Sequence, residues 1–480
     1  MNLYINNHSF HYELENLTRL FFPNEKINVI KNSEAYELPY ICTKISDKLE
    51  VDVTIGDFVR SSGANLSDDV ENERMLCELL YKILCEFTGV TPPWGMITGV
   101  RPVKLYRRLL ETNGEKNADN YFTDKLFVSP EKLNLAKKTE VVEKQIIDLS
   151  TDDSFSLYIS IPFCPSRCYY CSFVQSSTAR SKHLIDPYVD LLCKEIEHTA
   201  KIASDLGLKL STVYMGGGTP TTLSAEQLDR VLSTVNNSFD VSKLREFTVE
   251  AGRPDTITED KLISLKENKV GRISINPQTL NDSVLEQIGR RHTAQQTIDA
   301  YNLARKVGFD SINMDLIAGL PTDTVESFIS TLDRICELNP ECVTIHTLSL
   351  KRSSTLTQDG SSINRDDAGC AAKMLDYAGS KLLSEEYIPY YLYRQSRMVG
   401  NLENTGWSKK GFESLYNIYV MDETHTILGC GAGAVTKLKK PRDTYLKRIF
   451  NFKYPYEYID RYEEQLERKN EIYTFYKNCM

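Results

Sequence analysis

The 480-residue chain is short of positive charge: 57 lysines and arginines face 66 aspartates and glutamates, for a formal net charge of −9. That balance argues against a generally basic nucleic-acid binder and leaves room only for a local basic patch. No apolar run approaches the roughly 18 to 20 residues needed to span a bilayer. The opening "MNLYINNHSF" has neither a positive leader nor an apolar stretch, so no secretory signal is expected and the expected location is cytoplasmic. Low-complexity tracts and solenoid-type repeats are also missing. What is there is an ordinary globular composition, 41% hydrophobic and 26% charged, in a chain long enough for two or three domains with their own cores.

Twelve cysteines are many, yet nine of them (Cys42, Cys77, Cys85, Cys193, Cys336, Cys342, Cys370, Cys430 and Cys479) are scattered. Several lie in apolar stretches, where a thiol serves as a small hydrophobe. Only "FCPSRCYYCSF" gathers three, Cys164, Cys168 and Cys171, with no fourth cysteine nearby. In a reducing compartment such clusters more often hold metal than form disulfides. A structural zinc site takes four protein ligands, and the nearest histidine, His183, lies twelve residues beyond Cys171. Three thiolates at C-x₃-C-x₂-C spacing suit a four-iron, four-sulfur cluster better; such clusters normally take four thiolates. Omitting one leaves an iron open to a small chelating ligand. Zinc stays as the alternative.

From about residue 155 short β-rich runs alternate with amphipathic helical stretches. The runs are "FSLYISI" (155–161), "STVYMG" (211–216), "EFTVE" (246–250), "GRISIN" (271–276), "SINMDLI" (311–317) and "CVTIHTL" (342–348). Between the first two, Asp186 is expected to cap a helix with Pro187 in its first turn and Val189, Leu192, Ile196 and Ala200 on one face. Ser224 and Gln227 form a capping-box pattern before the next. Six β-then-α units imply a parallel sheet with right-handed crossovers. The expected fold class is therefore α/β, a partial six-stranded (β/α)₆ barrel, with a doubly wound sheet as runner-up. Residues 1–150 lack this rhythm and read as a separate α+β domain; 151–350 form the core. Residues 351–480 form a tyrosine-rich α/β region, with expected strands at "SLYNIYVM" and "HTILG" and a charged helix "YIDRYEEQLERK".

In parallel α/β folds functional groups collect where strands end. The first run leads into the cysteine loop and the second into "GGGTP" (216–220). The third ends at Glu250, and the fourth ends at Asn276 with Gln278 beyond. The fifth carries Asp315 and the sixth His346, with Ser349 next to it. A carboxylate within the apolar "INMDLIAGLP" is hard to explain by packing. Glycines in "GGGTP" either make a tight turn or let backbone approach a ligand closely.

C-x₃-C-x₂-C after a first strand, with a glycine-rich loop after the second, resembles the radical S-adenosylmethionine superfamily. "YISIPFCPSRCYYCSF", "GGGTPT", "IGRRH" and "NMDLIAGLP" resemble the oxygen-independent coproporphyrinogen III oxidase (coproporphyrinogen dehydrogenase) family. "TGVRPVKL" and "PYYLYRQSRMVGNLENTGW" are similar to its HemZ-type branch. The resemblance implies a [4Fe–4S] cluster on Cys164, Cys168 and Cys171 and one or two molecules of S-adenosylmethionine. It implies cofactor contacts at Tyr158, Tyr170, Gly217, Gly218, Thr219, Glu250, Gln278, Arg290, Asp315 and Ser349. Arg290 also reads as an ordinary helix-surface charge.

The implied reaction is oxidative decarboxylation of coproporphyrinogen III to protoporphyrinogen IX, on a tetrapyrrole substrate, with electrons from a reducing protein such as flavodoxin or ferredoxin. Carboxylate clamps are sought in Lys351, Arg352, Arg394 and Arg397. Phe173 stands where the well-studied branch has a further cysteine, which leaves the reaction open. The rivals are a haem chaperone of a related branch and a radical enzyme on another substrate. Against the chaperone, "GNLENTGW" has Gly400 where that branch shows histidine. "TGVRPVKLYRR" gathers Arg101, Lys104, Arg107 and Arg108 on one helical stretch, expected to cover a helix face or dock onto the core, with a grip on substrate or RNA as the alternative. "GCGAGA" (429–434) mimics a dinucleotide fingerprint but is read as a tight turn near the site, and His292 and His425 as structural or exposed.

Overall fold

A computed structural model describes residues 1–173, 176–349, 365–395 and 398–479. The described chain falls into two compact units, one built on Met1–Lys137 with Tyr393–Glu403, the other on most of the chain from Lys138 onward. The first unit holds a five-stranded mixed sheet in the spatial order 28–31, 2–6, 40–45, 49–55, 58–64. "LEVDVTI" is a strand as its alternation predicts. The long amphipathic stretch forms a helix over Asp69–Thr88, begun by an Asp68 side chain that accepts from the Glu71 amide and ended at the left-handed Gly89. Tyr393–Glu403, expected within the carboxyl-terminal region, belongs to this unit.

The second unit is organised by one eleven-stranded sheet. Its first six strands are β1 (Ser154–Ile161), β2 (Lys209–Gly217), β3 (Glu246–Gly252), β4 (Arg272–Ile275), β5 (Ser311–Ala318) and β6 (Cys342–Thr347). They lie side by side in sequence order and every neighbouring pair is parallel. Sequential order without reversal is the wound arrangement of a barrel and excludes the doubly wound runner-up, which needs a switch point. The sheet stays open because further strands occupy both edges. Beside β6 lie β7 (Ile388–Tyr393) and β8 (Asn404–Ser408), the latter antiparallel to β6. Beside β1 lies β9 (Thr426–Cys430), parallel to it, followed by the antiparallel β10 (Val435–Lys439) and β11 (Leu446–Phe450). The expected strand "HTILG" thus becomes part of the core sheet.

Helices α1 (Ile185–Asp205), α2 (Ala225–Ser238), α3 (Glu259–Glu267), α4 (Ala294–Val307) and α5 (Val325–Leu338) connect the parallel strands. Leu157, Ile159, Val213, Met215, Val249, Ile273, Ile312, Met314, Val343 and Ile345 are buried. They alternate with polar residues on the opposite face, as the two-residue period of a strand requires. The capping box at Ser224 and Gln227 forms as expected.

Three local expectations are corrected. Asp186 does not cap α1, which begins one residue earlier; its carboxylate instead accepts from Gln227 Nε2 at 2.5 Å. "SLYNIYVM" is a helix, Leu415–Asp422, despite its β-forming tyrosines, isoleucine and valine. The reason is long-range. Glu246 at the start of β3 accepts from the amides of Leu415 (2.5 Å) and Tyr416 (3.3 Å), satisfying donors that a helix start leaves open. "YIDRYEEQLERK" breaks at Arg461 into two helices, Pro455–Asp460 and Tyr462–Lys469. Among the described residues no helix is long and apolar enough to cross a membrane.

Candidate active site

Beyond β1 the chain makes a second, two-residue pairing. Phe163–Cys164 runs parallel to Ser176–Ser177, so both ends of the cysteine loop are anchored to each other. Within it the Cys171 amide closes a turn on the Cys168 carbonyl at 3.1 Å. The Tyr169 amide donates to the Ile288 carbonyl (3.0 Å) and Ser166 Oγ to the Gly289 carbonyl (3.2 Å). Arg253, 3% exposed just past β3, donates to the Ser166 carbonyl (3.2 Å) and Oγ (2.8 Å) while its other nitrogens grip Asp255. Gly289, at φ +76°, leaves no space for a side chain: a Cβ there would meet the Tyr169 ring at 3.1 Å and the Arg167 carbonyl at 3.2 Å.

Cys164 and Cys168 are buried and Cys171 is half-buried. Burial pushes the Cys164 thiol up to about 12; the Thr219 hydroxyl opposes that, and the neighbouring Cys171 and Cys168 add to it. Cys171 is raised too, first by burial and then by Cys168. Both thiols therefore feel their cysteine neighbours, and binding iron there would have to displace their protons. Among the described residues no three His, Cys, Asp or Glu side chains converge to hold a single ion. A cubane asks for something different, because each thiolate binds its own iron. Three clustered soft donors with no histidine fit that demand better than they fit zinc.

The glycine loop packs directly on this element. The Gly218 amide donates to the Ile161 carbonyl (2.7 Å) and the Thr219 amide to the Phe163 carbonyl (2.8 Å). Thr219 Oγ1 lies 3.3 Å from Cys164 Sγ. A Cβ on Gly218 would sit 2.6 Å from the Phe163 carbonyl oxygen, so close backbone approach to the cysteine strand explains that glycine. At Gly216 a Cβ would come within 3.0 Å of the Glu250 carboxylate, which leaves that carboxylate facing bare backbone.

Strand register brings the remaining groups to one face. Tyr158 pairs with Tyr214, Tyr214 with Thr248, Glu250 with Ser274, Ser274 with Asn313 and Asp315 with Thr344. Stepping by two along each strand puts Tyr158, Tyr214, Glu250, Asp315 and His346 on the inner face of the open barrel. Tyr158, Tyr214 and Tyr416 stack, the closest centroids being Tyr214 and Tyr416 at 4.4 Å. The Tyr214 hydroxyl donates to Glu250 Oε1 at 2.5 Å. Burial raises Glu250 to about 7; Tyr214 opposes this, Asp315 adds to it, and His346 opposes it. Burial would raise Asp315 as well, but His346, Asn313 and Thr344 together hold it below its ordinary value. His346 Nε2 is 3.7 Å from Asp315 Oδ2, and Asn313 donates to Oδ1 at 2.7 Å.

Gln278 adopts φ +69° and bridges to β5, donating its amide to the Asp315 carbonyl and accepting from the Ile317 amide. Arg290, 8% exposed, is no surface charge. It donates to the Asn276 carbonyl (2.6 Å) and the Tyr170 hydroxyl (3.2 Å), and its buried Nε has no partner among the described residues. Burial alone would lower Arg290; Tyr170 and Cys168 hold it above its ordinary value. Ser349 stands half-buried just past β6.

Of the clamp candidates, Lys351, Arg352 and Arg397 lie outside the described residues. Arg394 is 6% exposed in the first unit, donating to the carbonyls of Ile97 and Asn401, and burial pushes it down to about 10. It is a structural arginine. "GCGAGA" forms a turn through Gly431 (φ +92°) and Gly433 (φ +74°), whose Ala432 carbonyl accepts from Ser160 Oγ at 2.7 Å. His425 is buried between Ser156 and Ser154, and His292 is buried too; among the described residues neither sits in a ligand set. Arg253, Gly289, Tyr214 and Tyr416 are site residues that the sequence did not single out. Arg253 and Tyr214 carried a usable signal, since one follows β3 directly and the other sits two residues before the glycine loop.

The radical SAM superfamily is matched over residues 158–335. The chain is 38% identical over 393 residues to an oxygen-independent coproporphyrinogen-III oxidase-like protein, HemZ, of Bacillus subtilis (strain 168), covering 81% of this chain and 78% of that protein. It is 34% identical over 279 residues to a heme chaperone, HemW, of Lactococcus lactis subsp. lactis (strain IL1403), covering 58% and 68%. Among solved structures the coproporphyrinogen III oxidase (HemN) of Escherichia coli, described as a radical SAM enzyme, superposes with a TM-score of 0.54 at 26% identity, over 67% of this chain and 72% of that one.

Proposed function

This chain belongs to the HemZ-like group of the oxygen-independent coproporphyrinogen III oxidase family, and we propose that it oxidatively decarboxylates coproporphyrinogen III to protoporphyrinogen IX. It is a radical SAM enzyme of the oxidoreductase type, with a [4Fe–4S] cluster and S-adenosylmethionine as cofactors. We further propose a role for each site residue. Cys164, Cys168 and Cys171 would hold the cluster, leaving one iron for the amino and carboxylate groups of S-adenosylmethionine. Bound there, the pair would supply one-electron hydrogen-abstraction chemistry directed at a propionate side chain.

The chain's own groups bind and orient. Glu250 and Asp315, on the inner face of β3 and β5 with β4 between them, suit a ribose diol or an ammonium group. Arg290 braces Tyr170 inside the cysteine loop and keeps one N–H for an acceptor. Tyr158, with Tyr214 and Tyr416 stacked behind it, offers a flat wall. Gly217, Gly218 and Thr219 hold the second strand's loop against the first, and Gln278 and Ser349 complete the rim. One or two molecules of S-adenosylmethionine would bind, a flavodoxin or ferredoxin would supply electrons, and the location would be cytoplasmic, where the twelve free cysteines stay reduced.

The observation that carries the reading is the three-thiol loop packed on the glycine loop, with the Glu250 carboxylate facing the bare backbone of Gly216. Anaerobic turnover with coproporphyrinogen III, following both 5′-deoxyadenosine and vinyl product, tests it. Deoxyadenosine without vinyl product would keep the radical chemistry and remove this substrate. A second reading, a haem chaperone, is favoured by the similarity to HemW; a Soret band on haem titration at stoichiometric occupancy would support it.

A further inference from the structure

The strand register that gathers the site also sorts its charges. At the carboxyl ends of the parallel strands the inner face shows Tyr158, Tyr214, Glu250, Asp315 and His346, two acids and one base. Lower on the same face the buried Arg272 is closed off, donating to Cys342 Sγ (2.9 Å) and to the Phe412 carbonyl (2.9 Å). Arg290 lies beyond the end of β4 and is turned to the cysteine loop. His346, with 27% of its side chain exposed, is the one basic group that this end of the face leaves open among the described residues.

One edge of its ring is accounted for. Nε2 lies 3.7 Å from Asp315 Oδ2, and Asp315 is fixed from behind by Asn313 Nδ2 at 2.7 Å. Asn313 Oδ1 in turn accepts from Thr344 Oγ1 at 3.0 Å. The other ring nitrogen, Nδ1, has no partner among the described residues. Beside it comes a second donor. Ile345 pairs with Thr405 across β6 and β8, which run antiparallel, so Asn404 is the next residue level with His346. Asn404 Oδ1 accepts from the Thr347 amide at 2.8 Å, which leaves its two Nδ2 protons for an acceptor. An imidazole N–H next to a carboxamide N–H is a donor pair suited to a carboxylate.

We propose that His346 and Asn404 form a subsite for a propionate carboxylate of the tetrapyrrole substrate. The inference rests on the proposed reaction, whose substrate would bring four carboxylates to a face that already holds two. Like charge and lost hydration both oppose such a ligand, and a cationic ring set between Asp315 and the propionate answers both. With Asp315 on Nε2 and the ligand on Nδ1, the imidazole carries both protons and donates from each nitrogen. S-adenosylmethionine has a carboxylate too. The proposed function directs that group to the open iron at the cysteine loop, which follows β1, at the other end of the six-strand series from β6. No bond forms or breaks at His346; the residue selects the substrate and orients it.

The test uses the full chain with reconstituted cluster, kept anaerobic. Binding of coproporphyrinogen III is measured by equilibrium dialysis and counted as the fluorescent porphyrin after oxidation of the samples. The neutral tetraamide of the same macrocycle is the probe without carboxylates, and S-adenosylmethionine is titrated separately. His346→Ala should weaken coproporphyrinogen III about tenfold, the value of one hydrogen bond to a charged group. His346→Gln, which keeps a donor without the charge, should lose less, and His346→Lys should recover most of the affinity. Affinities for the tetraamide and for S-adenosylmethionine should stay unchanged in all three variants, and their iron content reports an intact fold.

An equal loss for the tetraamide would make His346 a packing residue. A loss confined to S-adenosylmethionine would give the subsite to that carboxylate, and unchanged binding of every probe would leave His346 without a ligand. Each of these overturns the inference and leaves the proposed function standing. A parent chain that binds no coproporphyrinogen III would remove both.

Discussion

Glu195 and Glu250 are both carboxylates enclosed by the second unit, and they are treated in opposite ways. Glu195, 0% exposed on α1, is saturated. It accepts from the Gly431 amide (2.7 Å), the Tyr458 hydroxyl (2.6 Å) and Asn451 Nδ2 (2.8 Å), and it faces Lys469 Nζ at 3.1 Å. Lys469 in turn donates to the Gly429 carbonyl at 2.6 Å. Every acceptor site is spent on holding the turn after β9 and the carboxyl-terminal helices against α1. Among the described residues Glu250 has one protein donor, Tyr214, and a second carboxylate, Asp315, in its field. The lesson is that burial alone does not mark function. A buried charge whose partners are complete ties chain to chain, whereas one left short of partners is placed to meet a ligand.

The sharpest way to separate the two regions is to remove one member of each. Cys168→Ala should abolish cluster assembly, seen as loss of nearly all iron after anaerobic reconstitution, while the denaturant midpoint of the metal-free chain barely moves. Full iron loading would contradict the assignment. Glu195→Ala should do the reverse. It leaves Lys469, 1% exposed, buried without its counter-charge, at a cost of about 3–5 kcal/mol in unfolding free energy. A loss below about 1 kcal/mol would show that water or another group replaces the carboxylate.

The smallest effect is also the most diagnostic. Glu250, at about 7 against 4.5 for an ordinary glutamate, is raised. Its contribution to stability is therefore complete below about 4.5 and is lost as pH rises toward 7, because the unfolded chain gives up the proton first. Glu250→Gln should flatten that decline in urea midpoints measured across the interval. A ribose diol donates hydrogen bonds and so favours ionised Glu250; S-adenosylmethionine affinity should tighten as pH rises through about 7 and lose that dependence in the same variant. Identical pH profiles for parent and variant would return Glu250 to the class of Glu195.

Much of this architecture was open to reading in the primary structure. The six core strands appear within two residues of their expected bounds, because buried parallel strands are runs of Val, Ile, Leu and Met with no polar interruptions on the helix side. Polar residues at their carboxyl ends could be ranked in order, since parallel crossovers bring all those ends to one side. Where local preference and distant partners disagreed, the reading failed. The 415–422 segment has β-forming residues and is a helix because Glu246, some 170 positions away in sequence, accepts from its first amides. Arg394 and Arg290 looked alike as candidate cations; one is enclosed among carbonyls of the first unit, the other wedged beside the cysteine loop.

The amino-acid order by itself determined which residues could form strands, where the thiols and glycines fall, and hence the chemistry that could be held. Those are local properties of side-chain type and period. Only the tertiary structure decided which charges are complete and which are left wanting. That depends on partners tens to hundreds of residues apart, brought within hydrogen-bond reach by the register of a single sheet.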